Sequence, residues 1–256
     1  MQENTYINRG TGKDTLVFLH YFGGEAASWQ WIISELETDY RCIALNLPGF
    51  GGTQPLDRPT ITGMAQWVLR QLALLDVFDF TLIGHSMGGK IALQLAALPS
   101  EMEIHQVILM APSPPTQEPM PEAEKQRMLR HPDKGEAMTT VSKATVAQLE
   151  EQRADFAVQS QLKIDQATWH WWLKEGMNHS IAESMQDLGI PVIVIASEDD
   201  PVITMDVVRQ EVIPVLPSAR LVTTRAQGHL MPLEAPRWLA DQIRQISKPT
   251  YRKATP

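Results

Sequence analysis

Short apolar runs rich in β-branched residues alternate along the chain with longer stretches in which apolar residues return every three or four positions. The runs fall at 15–19 (TLVFL), 42–45 (CIAL), 80–83 (FTLI), 107–110 (VILM), 192–196 (VIVIA) and 221–224 (LVTT). Apolar at consecutive positions, they offer hydrophobic side chains to both faces of a sheet, as central parallel strands do. Helical spacing occupies 26–36, 61–75, 87–97 and 235–246, with Thr60 and Thr62 as candidate caps ahead of the second stretch. Strands alternating with helices predict an α/β fold, a mostly parallel central sheet flanked by helices.

The alternation breaks once. Between the runs at 107–110 and 192–196 lie about 80 residues, where a crossover between parallel strands needs about a dozen. The interval opens APSPPTQEPMPE, too rich in proline for regular structure, and continues through helical spacing at 122–129, 143–161 and 166–177. This predicts a helical cap, 112–186, inserted into a core made of 1–111 and 187–256. Loops that follow parallel strands gather at the carboxyl edge of the sheet, where such folds bind ligands, so a cap in this position roofs the site. The tail SKPTYRKATP is expected to fray.

Composition narrows the partners. The chain has 256 residues, enough for one large domain, and a formal net charge of −8 with scattered Lys and Arg. That balance argues against nucleic acid and other acidic partners, which need clustered cations. One cysteine, Cys42 in an apolar run, excludes an intrachain disulfide and is expected as a buried thiol. The start of the chain, MQENTYINRGTGKDT, lacks the pattern of a signal peptide, and no apolar run reaches membrane-spanning length. A soluble cytoplasmic protein with no membrane partner is the expectation, and the sequence fixes no oligomeric state.

The candidate chemistry centres on LIGHSMGGK, 82–90. Gly84-His85-Ser86-Met87-Gly88 follows an apolar run and precedes a helical stretch, the setting of a nucleophile elbow. Such a turn strains its central residue, and glycines around it let strand and helix approach. Serine needs a base to take its proton. His105, His131, His170 and His179 fall in strand, loop or cap positions, whereas His229 in Gln-Gly-His-Leu-Met-Pro follows the last strand and reaches the same edge as Ser86. An acid to orient that base is offered by Glu198, Asp199 and Asp200, just beyond VIVIA.

With serine, acid and histidine in that order, the chain resembles the α/β-hydrolase superfamily over nearly its full length, as a serine carboxylesterase-like member with a cap. The resemblance implies a triad of Ser86, Asp200 and His229. Asp200 is selected because the family's Gly-x-x-Asp-Pro-Val loop falls on Ser197-Glu198-Asp199-Asp200-Pro201-Val202, leaving Asp199 as runner-up and Glu198 solvated. It also implies an oxyanion hole from the backbone N–H groups of Met87 and Phe22, the latter in His20-Tyr21-Phe22-Gly23-Gly24. Tyr21 stands where relatives have glycine, Asn46 where they have aspartate, and Ser197 where they have glycine; the last two are read as local structural variation. Tyr21, Phe22 and Trp172 are candidate pocket residues, although Trp169, Trp171 and Trp172 with Met177 are better explained as ordinary packing of the cap against the core, the alternative being that one or two of them face the pocket. Glu118, Glu122 and Glu124 are expected on the solvated cap surface.

The implied activity is hydrolysis of a small-molecule carboxylic ester through an acyl-enzyme, with no cofactor. Lactonase, carbon-carbon bond hydrolase, aminopeptidase and perhydrolase chemistry fit the same three residues, as does a slow-turnover small-molecule receptor. A serine at the elbow argues against haloalkane dehalogenase and epoxide hydrolase chemistry, which in the family use a carboxylate. No paired His or Cys spacing suggests a metal.

Overall fold

The computed structural model describes residues 5–247; most of the tail expected to fray, and the first four residues, lie outside them. Among the described residues one sheet has seven strands in the order β1-β3-β2-β4-β5-β6-β7. In chain order these are β1 (Tyr6–Arg9), β2 (Thr15–Leu19), β3 (Arg41–Leu45), β4 (Asp79–His85), β5 (Glu103–Met110), β6 (Val192–Ser197) and β7 (Arg220–Thr224). All neighbours pair in parallel except β1, which runs antiparallel to β3 from Tyr6↔Leu45 to Arg9↔Cys42. The apolar runs anticipate every strand but β1, a mostly exposed edge strand whose only apolar residues are Tyr6 and Ile7, too few to form a run.

Strand periodicity sorts the core into two layers. Val17, Leu19, Ile43 and Leu45 pack on one face of the sheet, while Leu16, Phe18, Cys42 and Ala44 pack on the other. Each fully buried aliphatic or aromatic side chain contributes about 1.5–3 kcal/mol, and both faces are covered. Helices α1 (Gln30–Leu36), α2 (Ile61–Leu74) and α3 (Met87–Ala97) follow the first central strands. The Thr60 hydroxyl accepts from Gly63 N (2.9 Å) and caps α2, whereas Thr62 lies inside that helix. The helical stretch at 26–36 begins as a 3-10 turn, Ala26–Trp29, before α1.

Between β5 and β6 come α4 (Glu122–Met128), α5 (Lys134–Ala144), α6 (Glu151–Leu162) and α7 (Gln166–Lys174). The helical stretch expected over 143–161 takes in only the end of α5, then a break, then α6, and α5 itself was not anticipated. The break has a tertiary cause: the amides of Val146 and Ala147 leave the helical ladder to donate to the Glu234 carboxylate (3.0 and 2.9 Å), which also accepts from Gly228 N. After β6, α8 (Met205–Val207) runs into a π-helical turn at Val208–Val212. After β7 come α9 (Met231–Glu234) and α10 (Pro236–Ser247). No helix among the described residues is long and apolar enough to cross a membrane.

Candidate active site

The elbow is built by close backbone contact. Ser86, between β4 and α3, has φ 52° and ψ −118°, a conformation that L side chains rarely adopt. It is held by its own amide donating to Met110 O (3.0 Å) and by Ser113 N donating back to Ser86 O (3.0 Å). A Cβ on Gly84 would fall 2.5 Å from Gly88 O, and one on Gly88 would fall 2.4 Å from Leu19 O. Side chains at either position would push α3 off the strands. The glycines therefore allow the turn, and the turn aims the Ser86 hydroxyl away from the sheet.

His229 arrives from the loop after β7 and Asp200 from the loop after β6. Asp200 Oδ1 accepts from Val202 N (2.8 Å) and Ile203 N (3.0 Å), which fixes the carboxylate and leaves Oδ2 for the histidine. His229 Nδ1 donates to that oxygen (2.9 Å), and Ser86 Oγ donates to His229 Nε2 (2.8 Å). Burial alone would push the imidazole down; the Asp200 carboxylate, with smaller help from Glu118 and Glu234, outweighs it and holds His229 above the ordinary 6.5. His85 Nε2 donates to His229 O (2.8 Å), and its own burial, with His229 and His20 adding to the effect, keeps it neutral. His20, lowered to about 4 by burial, accepts from Leu47 N through Nε2 (3.1 Å) and donates to Tyr21 O (2.9 Å). Both histidines brace loops through these bonds.

The amides of Phe22 and Met87 make no hydrogen bond among the described residues. Met87 N opens α3, where first-turn amides lack helical acceptors. Ser86 and His229 line a pocket of about 460 Å³ whose walls include Tyr21, Phe22, Met128, Trp172, Val202 and Leu230. Phe22 stacks on Trp169 at 4.1 Å between ring centroids and lies 5.9 Å from Trp172. Trp169 is fixed in turn by donating from Nε1 to Met128 O (2.8 Å). Trp172 thus serves packing and pocket together, while Trp171 packs edge-on against it at 6.0 Å.

Residues 14–169 match the family described as alpha/beta hydrolase fold. The chain belongs to that family. A dihydrolipoyllysine-residue acetyltransferase component of the acetoin cleaving system from Cupriavidus necator is 35% identical over 108 residues, 42% of this chain and 29% of that protein. A 2-succinyl-6-hydroxy-2,4-cyclohexadiene-1-carboxylate synthase from Shigella dysenteriae is 32% identical over 116 residues, 45% of each chain. Both matches span less than half of the relative's length. An esterase from Exiguobacterium antarcticum shares the fold, with a TM-score of 0.84 at 16% identity over 94% of both chains.

Within this α/β-hydrolase chain, the departures from the family pattern acquire structural roles. Tyr21 is buried on the pocket wall, 5.1 Å from the His85 ring, with its hydroxyl facing Ser28 and Ser160 without a well-formed hydrogen bond. Asn46 accepts from Ala26 N (2.6 Å) and donates to Gly51 O (3.0 Å), tying two turns together. Ser197 does more than vary locally. Its hydroxyl donates to Gln227 O (2.6 Å) and accepts from Asp199 N (3.2 Å), linking the Asp200 loop to the His229 loop.

Asp199, the runner-up to Asp200, turns away from His229 to accept from Ala226 N (2.7 Å), and Glu198 is exposed, as expected, and paired with Arg225. Two expectations need correction. Glu124 joins a network with Arg127 and Lys143; Arg127 and then Lys143 hold its carboxyl down at about 2 despite partial burial. Glu118 is buried, 7% exposed, on the wall of the Ser86 pocket. Gln161, from α6, is the other buried polar wall residue that sequence reasoning missed. For Glu118 a signal existed: its Pro-rich setting leaves the carboxyl edge of β5, where a chain must cross the site. Gln161 carried none.

Proposed function

We propose that the protein is a serine hydrolase that cleaves a small carboxylic ester through an acyl-enzyme. The observation that carries this reading is the unbroken hydrogen-bonded line from Ser86 through His229 to Asp200 opening into a mainly apolar pocket. His229 Nε2 takes the Ser86 proton as Oγ attacks the carbonyl carbon, and the imidazolium is stabilised by Asp200. The oxygen that gains charge is met by the free amides of Phe22 and Met87. Collapse of the tetrahedral adduct breaks the ester C–O bond, and the alcohol leaves with the proton from His229. A water, deprotonated by the same imidazole, attacks the acyl-Ser86 carbonyl; the acid departs and the Ser86 proton is restored.

In this reading 112–186 forms a helical cap over the core stretches 1–111 and 187–256, and its α7 supplies Trp172 to the acyl pocket. The test is a series of p-nitrophenyl esters of increasing acyl length, with initial rates for wild type and Ser86→Ala. Turnover should show a chain-length optimum and fall by about four or more orders of magnitude in Ser86→Ala. Equal rates for the two proteins would overturn the reading.

A further inference from the structure

Gln161 is the polar side chain on the Ser86 pocket wall that the protein itself leaves unused. It lines the pocket from the last turn of α6 and is only 5% exposed. Its side-chain amide makes no hydrogen bond among the described residues, yet neither of its polar atoms is sealed off. The other polar groups of the wall are engaged or closed away. Ser86 and His229 hold each other, the Glu118 carboxyl has the Lys90 ammonium and the Ser113 hydroxyl beside it, and Glu124 pairs with Arg127 and Lys143. Thr140 donates to Glu136 O (2.9 Å) and accepts from Arg127 (2.9 Å), while the Tyr21 hydroxyl is sealed. An amide left unpaired in a mainly apolar cavity carries a cost that a ligand group can remove.

The position of Gln161 is fixed from two sides. Its backbone carbonyl accepts from Ile164 N (3.3 Å), and the adjacent Ser160 Oγ donates to Gly23 O (2.9 Å), which pins α6 to the loop after β2. A Cβ built on Gly23 would lie 3.7 Å from Gln161 Oε1. The head of the side chain therefore sits one residue along from Phe22, in the same cavity as Ser86. A substituent on an ester bound at Ser86 can reach it without leaving that cavity. The amide also limits what the substituent can be. It offers an acceptor and two donors but no charge, so it cannot offset the burial of an ion, whereas a hydroxyl both donates to it and accepts from it.

Resting on the ester-hydrolase reading above, we propose that Gln161 forms a hydrogen-bonding subsite for an uncharged hydroxyl group carried by the substrate. The subsite favours hydroxylated esters over their hydrocarbon counterparts.

The experiment uses pairs of esters in which a hydroxyl replaces a methyl. Ethyl 3-hydroxybutanoate (each enantiomer) against ethyl 3-methylbutanoate, and ethyl 6-hydroxyhexanoate against ethyl heptanoate, place it near and far on the acyl side; 3-hydroxypropyl acetate against butyl acetate places it on the alcohol side. Proton release gives each rate, divided by that of hydroxide-catalysed hydrolysis. One neutral hydrogen bond predicts a preference of about threefold to tenfold in kcat/KM for the hydroxyl member of at least one pair. The pair that shows it identifies the end of the substrate that carries the group. Gln161→Met, similar in length but apolar, should reverse that preference, because the hydroxyl would then be buried against hydrocarbon. A Gln161 that only packs, or that serves the carbonyl oxygen common to all esters, would change both members of a pair alike and leave the ratio fixed. Wild-type ratios of one or less in every pair overturn the proposal without recourse to any variant.

A binding arm separates this proposal from the hydrolase reading. In Ser86→Ala, thermal stabilisation by at least one hydroxyl ester should exceed that by its methyl partner, and the difference should vanish or reverse when Gln161→Met is added. That pattern without wild-type turnover would sink ester hydrolysis and keep the subsite. Equal stabilisation within every pair would sink the subsite and leave ester hydrolysis standing.

Discussion

The elbow around Ser86 and the helices between β5 and β6 that face it are held by different forces. At the elbow, backbone meets backbone: Ser86 N on Met110 O, Ser113 N on Ser86 O, and glycines admitting α3 to within contact of Leu19 and His20. Across the pocket, side chains do the fastening. Phe22 stacks on Trp169, Ser160 Oγ donates to Gly23 O (2.9 Å), and Glu234 gathers three amides from two loops. Backbone contacts leave little room for substitution, whereas side-chain contacts can be exchanged one at a time. The first arrangement suits the chemical step, which tolerates about an ångström of error poorly, and the second suits adjustment of what enters the pocket.

The largest effect that sharpens this contrast is expected at Asp200. Asp200→Asn keeps the shape of the site but presents a donor or a neutral acceptor to His229 Nδ1, so the tautomer that accepts from Ser86 is no longer enforced. A loss of about three to four orders of magnitude in kcat is expected. The pH profile supplies the second readout. Only neutral His229 accepts the Ser86 proton, and its folded value is raised above 6.5, so wild-type activity should fall as pH drops through a limb lying above 6.5. In Asp200→Asn the raising carboxylate is gone while burial remains, and the limb should move to lower pH. An unmoved limb would show that another group sets it.

Next comes Gly88→Ala. The added Cβ would meet Leu19 O at 2.4 Å and His20 O at 2.5 Å, and the elements that must give are backbone on both sides. Movement of α3 away from the loop bearing Phe22 would separate the two free amides. A loss of about a hundredfold in kcat is expected, with a lowered melting temperature. A variant with wild-type kcat would mean that the elbow relaxes more freely than its contacts imply.

How much of this was legible follows from the reach of the interactions involved. The elbow and the strands that lead to Ser86, Asp200 and His229 depend on local pattern: consecutive apolar residues, glycines flanking Ser86, and turns after β6 and β7. Asp200 required the family resemblance, because three adjacent carboxylates differ only in which backbone amides they meet. The helix break at 145–150 lacked a proline or glycine signal, since its cause is Glu234, far along the chain. Burial of Glu118 was only half legible: its place beyond the carboxyl edge of β5 pointed to the pocket, but a carboxylate in a Pro-rich loop resembles a solvated one until the helices fold over it.

The smallest effect is expected on the side-chain-built wall. Trp172 is fully buried, lines the pocket, and packs against Phe22 and Trp171. Trp172→Phe keeps an aromatic ring for Phe22 while removing volume, at a cost of about 1–2 kcal/mol in stability. Because Phe22 would also offer its amide in the proposed reaction, two outcomes can be told apart. If Trp172 only shapes the pocket, the p-nitrophenyl ester profile should shift a few-fold towards longer acyl chains, while the rate on the shortest ester changes little. If Trp172 instead holds Phe22 in place, every chain length should lose rate by the same factor, and the division between a rigid chemical wall and an adjustable one would fail at Phe22, the residue that belongs to both.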